Sequence, residues 1–254
     1  MSQGRVIFVS AGPGAADLIT LRGARALAQA DVVLFDALTD PALRELAPQA
    51  RWLDVGKRGF TNSTAQTAIN ALLVKQARSH AVVVRLKGGD ASIFGRLEEE
   101  LQALAEAGIA SEVVPGVTAA LAAAAHTQRP LTRRGQGRSV SLTTAMTQEG
   151  DLRALRSADT EVFYMAGRQL AALSRKLVEA GWPADTPTSV VSRAGCVDAL
   201  ASEHPVSGLA AAALLHKGRP TVVTVGAGAR AVVKTLPKAP ELERPQSRAK
   251  TLSD

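Results

Sequence analysis

The sequence predicts an α/β protein built from two consecutive α/β units. Three observations carry that expectation. Short apolar runs rich in β-branched residues, such as Val6-Ile7-Phe8-Val9 and Val32-Val33-Leu34-Phe35, recur with helix-length segments between them, the pattern of strands joined through helices. The filling is aliphatic: 46% of the 254 residues are hydrophobic and 3% aromatic, which suits close packing of helices on sheets. The strands also fall into two sets, parted by a turn-rich stretch, Pro130-Leu131-Thr132-Arg133-Arg134-Gly135-Gln136-Gly137. Proline and paired glycines there interrupt both periodicities.

In chain order, residues 5–10 read as a first strand, followed by Gly12-Pro13-Gly14 and Asp17. A dinucleotide fingerprint would need a third glycine where Asp17 stands, and Pro13 removes an amide that a pyrophosphate would use. A helix over 21–29 leads to a second strand, 32–35, with Asp36 at its end. A third strand, 52–55, ends in Gly56-Lys57-Arg58, which lacks the upstream glycine of a phosphate-binding Walker loop. Ser63-x-x-Gln66 has the form of a capping box, and Ala65, Ala68, Ile69 and Leu72 give the helix behind it one apolar stripe. Ala81 to Val84 reads as a buried strand. Its end, Arg85-Leu86-Lys87, runs into Gly88-Gly89-Asp90. Two glycines permit positive φ and a close approach of backbone to a ligand, at the carboxyl end of a strand where open α/β sheets bind ligands. Asp90 is then either a ligand acceptor or the cap of a helix starting near Gly95. A helix over 97–107 and a strand over 111–114 complete this half, ending in Pro115-Gly116-Val117-Thr118-Ala119-Ala120 and an alanine-rich helix.

The second half repeats the α/β grammar without a detectable sequence repeat. Strands are predicted at 139–144, 161–165, 188–191 and 220–226, with a helix over 169–180. From Leu236 the composition turns to Pro, Lys, Glu and Ser with no apolar period, which predicts a disordered tail. The expected division is 1–134, 135–236 and a tail over 237–254.

Net charge is +7, so an anionic partner is expected, either nucleic acid or a polycarboxylate. One tyrosine and five phenylalanines are too few for base-stacking platforms, and no helix is basic, so nucleic acid is set aside. Cys196 is the single cysteine, which excludes an intramolecular disulfide and a cysteine-rich metal site; no metal is expected. Apolar runs such as Leu209 to Leu215 are too short to span a bilayer, and Arg5 interrupts any apolar leader, so a cytoplasmic protein is expected.

The string Val-Val-Arg-Leu-Lys-Gly-Gly-Asp-x-x-Ile-Phe-Gly-Arg-x-x-Glu-Glu, residues 83–100, resembles the signature of uroporphyrinogen-III C-methyltransferases, within the tetrapyrrole methylases that use S-adenosylmethionine. Further matches are Gly12-Pro13-Gly14, Ala-Asp-Val-Val-Leu-Phe-Asp-Ala-Leu (30–38), Val55-Gly56-Lys57-Arg58 and Val114-Pro115-Gly116-Val117-Thr118-Ala119-Ala120. The resemblance covers roughly residues 5–230. It implies two α/β domains of the tetrapyrrole methylase type with the active-site cleft between them, a homodimer, and methylation of uroporphyrinogen III at C2 and C7 to give precorrin-2. By resemblance, Asp36 and Lys57 are catalytic. The resemblance also implies that Pro13, Gly88, Gly89, Asp90, Ile93, Thr118, Ala119, Met165 and Ala194 contact S-adenosylmethionine; Arg134, and after it Arg133, is either an anchor for the substrate's carboxylates or part of a solvated basic turn. The chain departs from the pattern at Ala91, at Leu97, at Thr132-Arg133-Arg134 and at Thr144-Ala145-Met146, where two histidines of the family are absent. Those departures leave open a related methylase acting on another acceptor: a later corrinoid precursor, a protein or an RNA.

Overall fold

The computed structural model of the chain describes residues 4–56, 66–146 and 152–232. The first unit is a five-stranded sheet in the order β3-β2-β4-β1-β5, formed by β1 (Arg5–Ser10), β2 (Val32–Phe35), β3 (Arg51–Asp54), β4 (Val82–Lys87) and β5 (Ala110–Val114). All of its pairings are parallel. Parallel neighbours need crossovers, supplied here by α1 (Leu21–Ala28), α2 (Gln66–Ser79) and α3 (Leu97–Glu106). The central strands β1, β2 and β4 are buried on both faces because helices cover both, whereas the edge strands β3 and β5 are largely exposed. Ile7, Val9, Val33 and Val84 pack toward α1, whereas Phe8, Leu34 and Val83 pack toward α2 and α3. Thr20 starts α1 by accepting the amide of Gly23 at 3.1 Å.

The second sheet runs β6-β7-β10-β8-β9, from β6 (Val140–Thr144), β7 (Thr160–Tyr164), β8 (Pro187–Ser192), β9 (Leu200–Pro205) and β10 (Thr221–Gly226). Only β6 and β7 are parallel; the other pairings are antiparallel. One face packs on α5 (Leu170–Glu179), through Phe163, Leu173, Leu177 and Val223. The other is covered by α4 (Ala119–Thr127), whose Ala120, Ala122 and Ala123 meet Val162, Tyr164, Val191 and Val222. The small alanine side chains let helix and sheet approach closely.

Two elements differ from the sequence expectation. Strand β4 continues through Arg85 and Lys87, both buried, because a buried carboxylate waits for them below the sheet. Strand β9 is an edge whose sequence, Leu-Ala-Ser-Glu-His-Pro, alternates exposed and half-buried positions. Its polar composition hides it from an apolar-run reading. The capping-box Ser63 and the tail 237–254 lie outside the described residues.

Behind β8 the fully buried His216 sits between two hydroxyls, Ser192 and Ser202, each 2.9 Å from a ring nitrogen. Burial holds its imidazole below the ordinary 6.5, and the nearby His204 and Arg219 push the same way. A depressed folded-state value means the unfolded chain takes the proton first. The stability contributed by neutral His216 is therefore full above 6.5 and is lost as pH falls through the lowered folded value. Melting temperatures measured from about pH 7.5 to about pH 5 should fall more steeply for the parent chain than for His216→Gln. Equal slopes would remove His216 from the acid limb.

Candidate active site

The carboxyl ends of β1, β2, β4 and β5 bring their loops together on one edge of the first sheet. The glycine turn is locked to the first loop by a reciprocal pair: Gly12 donates to the Gly89 carbonyl at 3.1 Å, and Gly89 donates to the Gly12 carbonyl at 2.7 Å. Gly89 holds φ +68, where a side chain is strained. A Cβ built on it meets nothing within 4 Å, and one on Gly88 meets only Leu38, at 3.4 Å at the nearest. The turn thus presents bare backbone to open space.

Asp90 neither caps α3 nor stands free. Its Oδ1 accepts from the Ser92 amide and its Oδ2 from the Gly116 amide, both at 2.8 Å. It ties the β4 loop to the β5 loop. Gly116 has to be glycine for that approach, since a Cβ would lie 2.5 Å from the Cβ of Ser10. Helix α3 begins after Arg96, whose side chain does not cap it. Arg96 instead forks onto Glu99 with two bonds of 2.7 Å, and the local sequence signal is only an Arg-x-x-Glu spacing.

The second unit closes over this edge. The Thr118 hydroxyl lies 2.8 Å from the Tyr164 phenol, which also accepts the Ala120 amide at 3.3 Å. Burial raises the Tyr164 phenol above its usual range, so it stays a neutral donor and acceptor. Phe94 meets the Tyr164 ring edge-on at 5.1 Å. The Pro13 ring packs beneath Gly195, where a Cβ would come within 2.9 Å of it, and Ala15 donates to the Gly195 carbonyl at 2.9 Å. Ile93 and Ala119 pack partly buried against Ala194 and Tyr164. Met165 ends β7 with φ +57 and a half-exposed side chain. Phe94, Arg96 and Arg193 also hold positive φ, 52, 54 and 51. Each such residue costs about 1–3 kcal/mol; a fifth, Gln128 with φ 53, ends α4.

Pro13, Gly88, Gly89, Asp90, Ile93, Thr118, Ala119, Met165 and Ala194 therefore line or support one seam. Asp36 stands beside it: β2 and β4 are neighbours with Phe35 opposite Leu86, and Asp36 donates its amide to the Leu86 carbonyl at 3.3 Å. Lys57 lies outside the described residues. Arg133 and Arg134 sit in a turn at the start of β6, with Arg133 bonded through its backbone to Gly137, whereas Met165 lies at the far end of β7. Arg133 commits its guanidinium to the carbonyls of Arg230 and Ala231; Arg134 is exposed.

A charged cluster that the sequence reading did not single out lies directly beneath Asp36. Arg85, Lys87 and Glu100 are 2%, 3% and 0% exposed. Glu100 accepts Arg85 Nε at 3.0 Å and Lys87 Nζ at 2.7 Å, and Arg85 Nη2 reaches Asp36 Oδ1 at 2.6 Å. Burial, then the charge of Arg85, lowers the Lys87 ammonium from 10.5, while Glu100 opposes the change. Removing one partner from such a buried set costs about 3–5 kcal/mol. The clue in the sequence was the period-two placement of two cations on a strand otherwise apolar on both faces.

This arrangement defines a two-unit α/β protein in which the carboxyl-end loops of a parallel sheet meet the facing side of a second, mixed sheet. The chain belongs to the tetrapyrrole (corrin/porphyrin) methylases, whose family model matches residues 5–210. It is 46% identical over 196 residues to a uroporphyrinogen-III C-methyltransferase of Pseudomonas aeruginosa, covering 76% of this chain and 80% of the relative. It is 45% identical over 201 residues to sirohaem synthase 1 of Yersinia pseudotuberculosis, covering 77% of this chain but 43% of that longer protein. The uroporphyrin-III C-methyltransferase of Thermus thermophilus, solved with S-adenosylhomocysteine, superposes with a TM-score of 0.77 at 35% identity, over 88% of this chain and 97% of that one. Among the described residues no helix is long and apolar enough to cross a membrane.

Proposed function

We propose that the chain methylates uroporphyrinogen III at C2 and C7 with S-adenosylmethionine as donor, giving precorrin-2. The observation that carries the reading is the bare Gly88-Gly89 turn opening on unfilled space, beside a strand-end carboxylate, Asp36, on the neighbouring strand. The names of the Pseudomonas and Thermus relatives support the same reaction.

The residues present fit the donor. A Cβ on Gly89 would enter open space, Asp90 holds the β4 and β5 loops together, and Pro13, Ile93, Thr118, Ala119, Met165 and Ala194 are assigned to the donor on the family resemblance. The donor supplies an electrophilic methyl on a sulfonium, whose leaving group is a neutral thioether. The protein's tasks are then to align, to exclude water and to take up the proton that the tetrapyrrole loses, from a position other than the methylated carbon, as each methyl is added. Asp36 is assigned the proton, and Lys57 a supporting role in the same half of the chain. Arg134 is exposed and by charge suits a forked pair with a substrate carboxylate, but it stands at the end of the second sheet away from Met165. Arg133 suits it less, because its guanidinium is already engaged. We assign the chain to the cytoplasm as a homodimer, dividing at residues 134 and 135; the family resemblance supports the dimer, and the lone Cys196 suits a reducing compartment.

Incubation with S-adenosylmethionine and enzymatically generated uroporphyrinogen III, followed by mass spectrometry, tests the reading. The expected product carries two added methyl groups. Unchanged substrate alongside methylation of a later corrinoid precursor would favour the second reading, which Arg133 and Met146 at the places of the family's histidines support.

A further inference from the structure

Asp36 opens a turn, its carbonyl accepting the Thr39 amide at 3.2 Å and hydroxyl at 2.8 Å, but its side chain is anchored across the sheet. One carboxylate oxygen, Oδ1, receives Arg85 at 2.6 Å. Oδ2 has no hydrogen-bond partner among the described residues, and the side chain is 31% exposed. Arg85 itself has no freedom. Its Nε is bonded to Glu100, its Nη1 to the carbonyls of Leu34 and Leu86 at 3.4 and 3.2 Å, and its Nη2 to Asp36. Those two carbonyls belong to β2 and β4, so the plane of the guanidinium is set by the sheet that carries Asp36. Glu100 is held in turn by Lys87 and by the Gln66 side-chain amide at 3.2 Å.

A network serving only to bind α3 to the sheet would end at Arg85, Lys87 and Glu100, with two cations facing one buried anion. Asp36 supplies the second anion and makes the set neutral. It is also the one member that reaches the cleft edge. A base whose orientation is fixed by a third group follows the logic of activated catalytic pairs on many folds.

We propose that Arg85 is the positioning residue for Asp36, holding Oδ1 so that Oδ2 alone is presented to the methyl acceptor, with Glu100 fixing the guanidinium from behind. Arg85 is thereby held from both sides, by Glu100 at Nε and by Asp36 at Nη2. The inference rests on Asp36 being the proton acceptor.

A double-mutant cycle tests it, with Asp36→Asn, Arg85→Gln and the pair. Each protein is titrated calorimetrically with S-adenosylhomocysteine, and kcat is referred to the binding-competent fraction. Arg85→Gln should bind S-adenosylhomocysteine as the parent does and keep KM for the tetrapyrrole nearly unchanged. Its kcat should fall about 10²-fold, the scale of a misplaced reacting group. In the Asp36→Asn background the same change should cost no more than about twofold, because the group it positions is gone. Equal losses in both backgrounds, or an undiminished kcat in Arg85→Gln, would overturn the positioning role while leaving Asp36 as the base. Wild-type turnover by Asp36→Asn would remove the base assignment and this inference with it. If Arg85→Gln yields no binding-competent protein, Glu100→Gln, which keeps the arginine but removes the charge behind it, takes its place in the cycle. Additive losses there overturn the proposal in the same way.

Discussion

Asp36→Asn should bind S-adenosylhomocysteine like the parent chain and form dimethylated product about 10²–10⁴-fold more slowly, the usual cost of losing a general base. The amide is nearly isosteric, and Arg85 can still donate to its oxygen, so the 2.6 Å contact beneath the cleft survives without the ability to take up a proton. A loss confined to kcat identifies an interaction needed in the transition state. If the variant fails to bind S-adenosylhomocysteine, Asp36 belongs to the donor's side of the cleft and the proton leaves by another route. If it turns over at the parent rate, the assignment is wrong.

The second large effect is expected at the glycine turn. Gly89→Val should remain folded and lose S-adenosylhomocysteine affinity by about 10²-fold or more, a change of some 2.7 kcal/mol. At φ +68 a β-branched residue carries roughly 1–2 kcal/mol of backbone strain, which lowers the melting temperature modestly. The added methyls meet no protein atom near the Cβ; what they fill is the space over the turn. Gly108→Val is the control, since Gly108 has φ +70 and equally open surroundings but closes the far end of α3. It should lose similar stability and keep its affinity. Equal affinity in the two variants would move the donor away from Gly89.

The centre of the parallel half was legible because β1, β2 and β4 are buried on both faces and announce themselves as apolar runs. Strand β2 falls on Val32–Phe35 as expected, and β1 on Arg5–Ser10. The turn was legible where the backbone requires a residue type for a local reason, as at Gly89 with its positive φ. The site was illegible where the reason lies across the fold. Asp90 read equally as ligand acceptor or helix cap, and its bond to Gly116, 26 residues on, is a tertiary fact. Arg85 and Lys87 looked like a strand's polar ending because their partner Glu100 stands on a helix, hidden in a run of three glutamates. The edge strand β9 was missed because exposure on an edge erases the apolar signal.

Helix α4 gives the molecule a property that neither sheet has alone. It leaves the parallel sheet at the loop that Asp90 clamps, yet its alanine face is buried in the second sheet's core. Its first turn is bonded to Tyr164 of that sheet. The two units are therefore joined by a shared part and not by a tether. Melting of the second sheet would strip α4 of its packing and release Thr118 and Ala119 from Tyr164, so the order of the β5 loop and the integrity of the second unit are gained and lost together.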